Sequence, residues 1–250
     1  MVSVDRQDLR VALVTGGNRG LGYEVVRQLA QAGMRVLLGA RAVDDGRRAA
    51  AECTAAGLDV HPVRVDVTDE ATLDTAAGIV ATEHGRLDVL VNNAGTTIEL
   101  SPVRLTAEVL RRVLEVNVVG AAATIRAFLP LLARSPAARI VNVTSTTASL
   151  GLTSDGVDFG GNAEQRIAYS TSKTALNMLT VQYARAFAAD PELRHIKINA
   201  GTPGFVATAL NNYTGTRSVE QGARVIVDLA TLSDDGPTGG FFNDRGPVPW

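Results

Sequence analysis

The 250-residue chain has one cysteine, Cys53, so no intrachain disulfide can form and no cysteine-based metal cluster can be built. Its three histidines, His61, His84 and His195, are scattered without ligand spacing, and no metal site is expected. Aromatic residues make up 4% of the chain against 46% hydrophobic residues in all. The interior must therefore be filled by Ala, Val, Leu and Ile, the residues of parallel strands and the helices that cover them. A net charge of −2 supplies no basic face for nucleic acid. No apolar run reads as long enough to cross a bilayer. The N-terminal stretch MVSVDRQDLR carries Asp5, Arg6, Asp8 and Arg10 where a signal peptide needs an uninterrupted apolar region. These absences leave a cytoplasmic enzyme or binding protein whose partner is a small molecule, with neither nucleic acid nor membrane. Lysine is the last scarcity: of 24 basic residues only Lys173 and Lys197 are lysines.

What is present is a strict alternation. Short β-branched runs, expected as strands, lie at 10–15, 35–40, 59–66, 87–93, 139–145 and 195–201, with a last short one at 239–242. Between them apolar residues recur at helical spacing, as in Leu21, Val25 and Leu29, in Leu110, Val113 and Leu114, and in Leu176, Leu179 and Tyr183. Alternating strands and helices specify an α/β fold, a parallel sheet with helices on both faces. Thr106 reads as a helix N-cap, and Ser218 with Gln221 as a capping box. No linker or repeat divides the chain, so 1–250 is expected to be one domain. Its longest irregular stretch is the polar, glycine-rich segment 146–168, a length that is usually functional or mobile.

Directly after the first strand comes TGGNRGLG, Thr15 to Gly22, leading into a helix. Gly16, Gly20 and Gly22 allow a sharp turn, close approach to a pyrophosphate and tight seating of the helix, whose N-terminus then faces the phosphates. The first strand-to-helix crossover of a doubly wound sheet is where dinucleotides bind. The second strand ends Gly39, Ala40, Arg41, without the acid that holds the adenosine ribose in NAD sites. Arg19 adds a second positive charge nearby, so NADP (NADPH) is expected over NAD.

The stretch AYSTSKTAL holds Tyr169 and Lys173 at i and i+4, on one face of a helix. A nearby ammonium favours the phenolate and brings the phenol towards the range where it exchanges a proton at neutral pH. Ser145 lies at the C-terminal end of the strand RIVNVTS, where ligands sit in open α/β sheets, with Thr144, Thr146 and Thr147 as local competitors. Asn117 interrupts an apolar helical stretch, and a buried amide there must be hydrogen-bonded.

With these residues on the page the chain resembles the short-chain dehydrogenases/reductases, in their compact branch. The likeness rests on TGGNRGLG, Asp66 in VDVT, NNAG at 92–95, Asn117, Ser145, the Y-x-x-x-K of Tyr169 and Lys173, and TPGFVAT at 202–208. It implies a Rossmann-type sheet of seven parallel strands and a catalytic tetrad of Asn117, Ser145, Tyr169 and Lys173. The tyrosine would be the acid/base and the serine would orient the carbonyl. The lysine would bind the nicotinamide ribose and lower the tyrosine pKa, and the asparagine would hold a water in a proton relay. It also implies cofactor contacts from Gly16, Asn18, Arg19, Gly20, Leu21, Gly22, Arg41, Asp66, Val67, Asn93, Ala94, Gly95, Tyr169, Lys173, Pro203, Gly204, Val206 and Thr208.

From Ser145 to Tyr169 the spacing exceeds the family's usual one, so 146–168 contains an insertion. It looks like a shorter form of the insert in NADPH-dependent carbonyl reductases of the human and plant menthone reductase type, where it covers a helix face used for tetramer formation. A monomer is expected, with a homodimer as the alternative. Phe159, Phe205 and Tyr213 are candidate wall residues for a carbonyl substrate. The expected activity is hydride transfer from NADPH to a ketone, aldehyde or quinone. The alternatives are a biosynthetic ketoreductase, an alcohol dehydrogenase working oxidatively, and a non-catalytic NADP-sensing regulator.

Overall fold

The computed structural model describes residues 9–160 and 162–250. Asp5, Arg6 and Asp8, on which the expectation about the N-terminus rests, lie outside the described residues. The parallel sheet begins with β1 (Val11–Thr15), β2 (Arg35–Ala40), β3 (Val60–Arg64) and β4 (Val89–Asn92). It continues with β5 (Arg139–Val143), β6 (Lys197–Gly201) and β7 (Phe241–Asn243). A two-residue strand β8 (Gly246–Pro247) closes the edge, giving the order β3-β2-β1-β4-β5-β6-β7-β8. The expected seven parallel strands are all present. The eighth is an addition, antiparallel to β7 and formed because Phe242 pairs with Pro247 and Asn243 with Gly246.

Burial on both faces explains the composition of the strands. Alternate residues of β1 feed opposite cores: Ala12 and Val14 join Val36, Leu38, Val89 and Val91, while Val11 and Leu13 join Leu37, Leu90 and Ile140. The first core is covered by α1 (Gly20–Gln31), α2 (Val43–Ala55) and α8 (Val219–Ala230), which supply Val25, Val26, Leu29 and Ile226. The second is covered by α3 (Glu70–Glu83), α5 (Gly120–Leu132) and α7 (Ile167–Ala189), which supply Leu73, Phe128 and Phe187. Both expected caps are made: Thr106 accepts from the Val109 amide at the start of α4 (Ala107–Leu114), and Ser218 and Gln221 form a capping box.

Helix α4 runs through one π-helical turn at Glu115–Val119 into α5. The expectation that no apolar run reaches membrane-spanning length is corrected here: Ala107–Leu132 is a continuous 26-residue helix apolar enough to do so. Phe128, Leu131 and Leu132 of this helix are packed in the second core. The expected loop at 146–168 is also more ordered than its composition suggested. It contains a helix, α6 (Leu150–Ser154), capped by the Ser149 hydroxyl, and α7 begins at Ile167. Gly151 donates its amide to the Trp250 carbonyl at 2.9 Å, and Trp250 stacks on Phe241 with ring centroids 5.5 Å apart. The tail thus docks on the insert.

Candidate active site

Strand order reverses between β1 and β4, because β1 leads outward to β2 and β3 on one side while β4 begins the other. The crevice at their C-terminal ends is where an open α/β sheet binds its ligand. Gly16 and Gly20 both have positive φ, 63° and 54°, and carry the chain from β1 into α1. A Cβ on Gly22 would lie 2.3 Å from Asn93 Nδ2 and 2.4 Å from the Gly16 carbonyl, so only glycine permits this turn. The first turn of α1 has no side-chain cap and no acidic residue. Its amides and dipole thus suit the pyrophosphate of a dinucleotide.

Asn93 braces this loop. Its Nδ2 donates to the carbonyls of Thr15 at 2.9 Å and Gly16 at 3.1 Å, so its side chain is engaged in holding the turn. The Thr15 hydroxyl, absent from the sequence expectations, accepts the amides of Asn93 and Ala94. Asp66 is fixed by Thr68, whose amide and hydroxyl both donate to Asp66 Oδ1, and Val67 is buried beside Gly120. Arg19 and Arg41 are exposed, at the start of α1 and just after β2. Pro203, Gly204, Val206 and Thr208 follow β6, and Thr208 with Asn211 forms a capping box that orders the loop.

On the other side of the crevice the four expected polar residues converge. Asn117 is buried in the π-helical turn, where its Oδ1 accepts from the Thr96 amide at 2.8 Å. Its Nδ2 donates to the Thr96 carbonyl and to Ser172 Oγ, both at 2.9 Å. Ser172 in turn donates to the Tyr169 carbonyl at 2.6 Å. This chain seats the first turn of α7 against the loop after β4. Ser172 was not singled out in the sequence, although it stands between the two catalytic candidates in YSTSK.

Lys173 is 4% exposed, and its ammonium donates to the Val143 carbonyl at the end of β5 at 2.8 Å, 5.7 Å from the Tyr169 ring centroid. Burial lowers its pKa to about 8. Burial raises the pKa of Tyr169, while a hydrogen bond with Ser145 and the charge of Arg166 pull it down. The threonines that compete with Ser145 are engaged elsewhere. Thr144 donates to the Lys173 carbonyl, Thr146 pairs with Thr202, and Thr147 pairs with Ser145 itself. Phe205 lies under Arg166, with the guanidinium carbon 5.5 Å from the ring centroid. Tyr213 is 71% exposed and lines no wall in this conformation.

A doubly wound sheet, a glycine turn at its switch point and a Tyr–Lys pair one helical turn apart define a dinucleotide-dependent oxidoreductase. The chain belongs to the short-chain dehydrogenase family, whose model matches residues 10–219. It is 34% identical over 296 aligned positions to (+)-neomenthol dehydrogenase of Arabidopsis thaliana, covering 94% of this chain and 96% of that protein. It is 31% identical to carbonyl reductase [NADPH] 1 of Sus scrofa, covering 96% of this chain and 94% of that one. The solved structure of salutaridine reductase from Papaver somniferum superposes with a TM-score of 0.81 at 28% identity, over 94% of this chain and 99% of that one. The alignment with neomenthol dehydrogenase is longer than this chain, so the relative carries segments that this one lacks.

Proposed function

We propose that the chain is an NADPH-dependent carbonyl reductase, with Tyr169 as the general acid, acting in the cytoplasm on a small ketone, aldehyde or quinone. The observation that carries this reading is the convergence of Tyr169, Ser145, Lys173 and Asn117 beside the glycine turn. The resemblance to relatives named carbonyl reductase, neomenthol dehydrogenase and salutaridine reductase supports the substrate class. Arg19 and Arg41, with Ala40 in place of an acid, support NADP over NAD, because guanidiniums suit the dianionic ribose phosphate.

When bound in the crevice, the nicotinamide cofactor would supply the hydride that reduces the carbonyl carbon. Ser145 donates its hydroxyl hydrogen to the carbonyl oxygen and orients it. Tyr169 gives that oxygen its phenolic proton, which becomes the proton of the product hydroxyl. Lys173, with two ammonium hydrogens left after Val143, would hold the cofactor ribose and favours the phenolate once the proton has gone. Asn117 keeps the turn of α7 in register. Run backwards, the same residues oxidise an alcohol, with the Tyr169 phenolate as base.

The test is NADPH consumption over a panel of ketones, aldehydes and quinones, alongside dissociation constants for NADPH and NADH. Tight NADPH binding without turnover on any class would replace this reading with a non-catalytic NADP sensor. We further propose a monomer whose insert, anchored by Trp250, blocks one face from pairing. Shortening 146–168 should then raise the association state measured by light scattering, and an unchanged mass sinks that proposal.

A further inference from the structure

Arg166 is the N-cap of α7, three residues ahead of Tyr169, and its carbonyl accepts the Ser170 amide at 2.8 Å, so it closes the helical turn that carries the phenol. Two other chain segments meet on it. Its Nε donates to Glu99 Oε1 at 2.8 Å, in the loop after β4. Its guanidinium lies over Phe205, in the loop after β6. One residue earlier the Gln165 carbonyl accepts the Leu100 amide at 2.9 Å, so the backbone is tied to the same loop as the side chain. The Arg166 side chain is 12% exposed and that of Glu99 30%, so the guanidinium is mostly covered while the carboxylate keeps a side to solvent. A guanidinium held from two sides, stacked on an aromatic ring, is a fixed charge and not a waving surface one.

We propose that Arg166 is a positioning residue for the reaction: clamped by Glu99 and Phe205, it holds a positive charge in the turn of Tyr169 that draws the phenol's proton exchange towards lower pH. The inference rests on the reading of Tyr169 as the acid/base. The groups facing the phenol are Ser145 from the end of β5, Lys173 from α7 itself and Arg166, with Glu99 behind it on the loop after β4. Burial drives the phenol's pKa up, and Ser145 and then Arg166 oppose it. Lys173 is turned to the Val143 carbonyl. The Lys173 ammonium stays 5.7 Å from the Tyr169 ring centroid, and Arg166 adds a second positive charge from the start of α7.

Charge and bracing predict different signs. If the pair only braced the loops, losing either partner would disturb the site in one direction. If the charge matters, Arg166→Met raises the phenol pKa, whereas Glu99→Gln removes the anion that offsets the guanidinium and lowers it. The experiment is the pH dependence of kcat for oxidation of whichever alcohol the reductase panel yields as product, since there the phenolate is the working form and rate rises with pH. Arg166→Met should move the midpoint up by about 0.5–1 unit, below the shift of a directly apposed pair because Glu99 offsets part of the charge. Arg166→Lys should restore most of it, and Glu99→Gln should move it down. An unmoved midpoint in Arg166→Met, or shifts of the same sign in the two variants, would overturn the proposal. Should Arg166→Met fail to fold, as judged by circular dichroism, the Lys and Gln variants decide alone: an upward shift or none in Glu99→Gln overturns it. Tyr169→Phe separates the two levels. Turnover retained there defeats the acid assignment itself, whereas an inactive Tyr169→Phe with an unshifted Arg166→Met defeats only the role of Arg166.

Discussion

The two walls of the β1–β4 crevice are made of different material. The wall that suits the dinucleotide is backbone: positive-φ glycines, the uncapped amides of α1 and a glycine at 22 that admits no Cβ. The wall that carries the chemistry is side chain, reached from the π-helical turn, the end of β5, α7 and the loop after β4, with Asn117, Lys173 and the Arg166–Glu99 pair each held by a hydrogen bond to another segment. A pyrophosphate is the same in every turnover and can be met by fixed amides. Proton transfer needs particular pKa values, and only side chains in tuned surroundings supply them.

The sharpest way to break this contrast is to remove one proton from the chemical wall. Tyr169→Phe keeps the ring and should lower turnover by ~10²–10⁴-fold while leaving the NADPH dissociation constant near wild type. Steady-state rates and cofactor titration together check it, and weakened binding would mean that the walls are not separable. The converse change is Gly22→Ala. Its Cβ would fall 2.3 Å from Asn93 Nδ2 and 2.4 Å from the Gly16 carbonyl, so backbone must shift. Such overpacking costs roughly 1–3 kcal/mol, and cofactor affinity should fall by about ten-fold or more, read by fluorescence titration. A variant binding NADPH normally would show the turn to be pliable.

Cofactor choice tests a place where the dinucleotide wall uses side chains. Ala40→Asp with Arg41→Ala installs a ribose acceptor and removes a phosphate partner, and should weaken NADPH by about 10-fold or more while improving NADH. Dissociation constants at matched salt decide. The smallest effect is one of stability. In the unfolded chain Lys173 titrates at 10.5, in the folded chain at about 8. Between these values the unfolded state binds the extra proton, so stability rises with pH through the window and is lost again as pH falls towards 8. The raised pKa of Tyr169 acts in the opposite sense only above 10. Thermal or denaturant unfolding at pH 7.5, 8.5 and 9.5 should therefore show wild type gaining on Lys173→Met, towards a total of roughly 3 kcal/mol. A constant difference would mean that the ammonium stays hydrated in the folded state.

What the sequence made legible follows the same division. The strand at 35–40 and the caps at Thr106 and Ser218 have the expected bounds, because β-branched runs and capping hydroxyls act locally. So do the glycine turn and the Tyr–Lys pair, whose spacings are geometric. The π-helical turn that carries Asn117 leaves no mark in the residue pattern, since it depends on the helix being held at both ends. The buried face of α7 is also hard to read. Apolar spacing pointed to Leu176, Leu179 and Tyr183, yet the face against the sheet carries Ser172, Lys173, Asn177 and Thr180 beside Leu176. Lys173 is satisfied by the Val143 carbonyl, Thr180 by Asn142 and Ser172 by Asn117, a tertiary circumstance, while the buried amide of Asn177 has no protein partner among the described residues. Arg166 was one arginine among many until the fold brought Glu99 and Phe205 to it. The strand β8 is two residues long and exists only because the tail folds back on β7.

The scarcity of lysine acquires a chemical meaning once Lys173 is seen under the crevice. The side chains offer two primary amines in all, and that of Lys197 donates to the Gly236 carbonyl at 2.8 Å. An ordinary lysine is almost wholly protonated at neutrality, whereas one titrating at about 8 has about a tenth of its molecules as free amine at pH 7. Electrophiles that acylate or form imines with amines thus find their most nucleophilic side-chain target at the reaction centre. Covalent labelling, which scatters over the surface of a lysine-rich protein, becomes in this chain a report on whether the crevice is open.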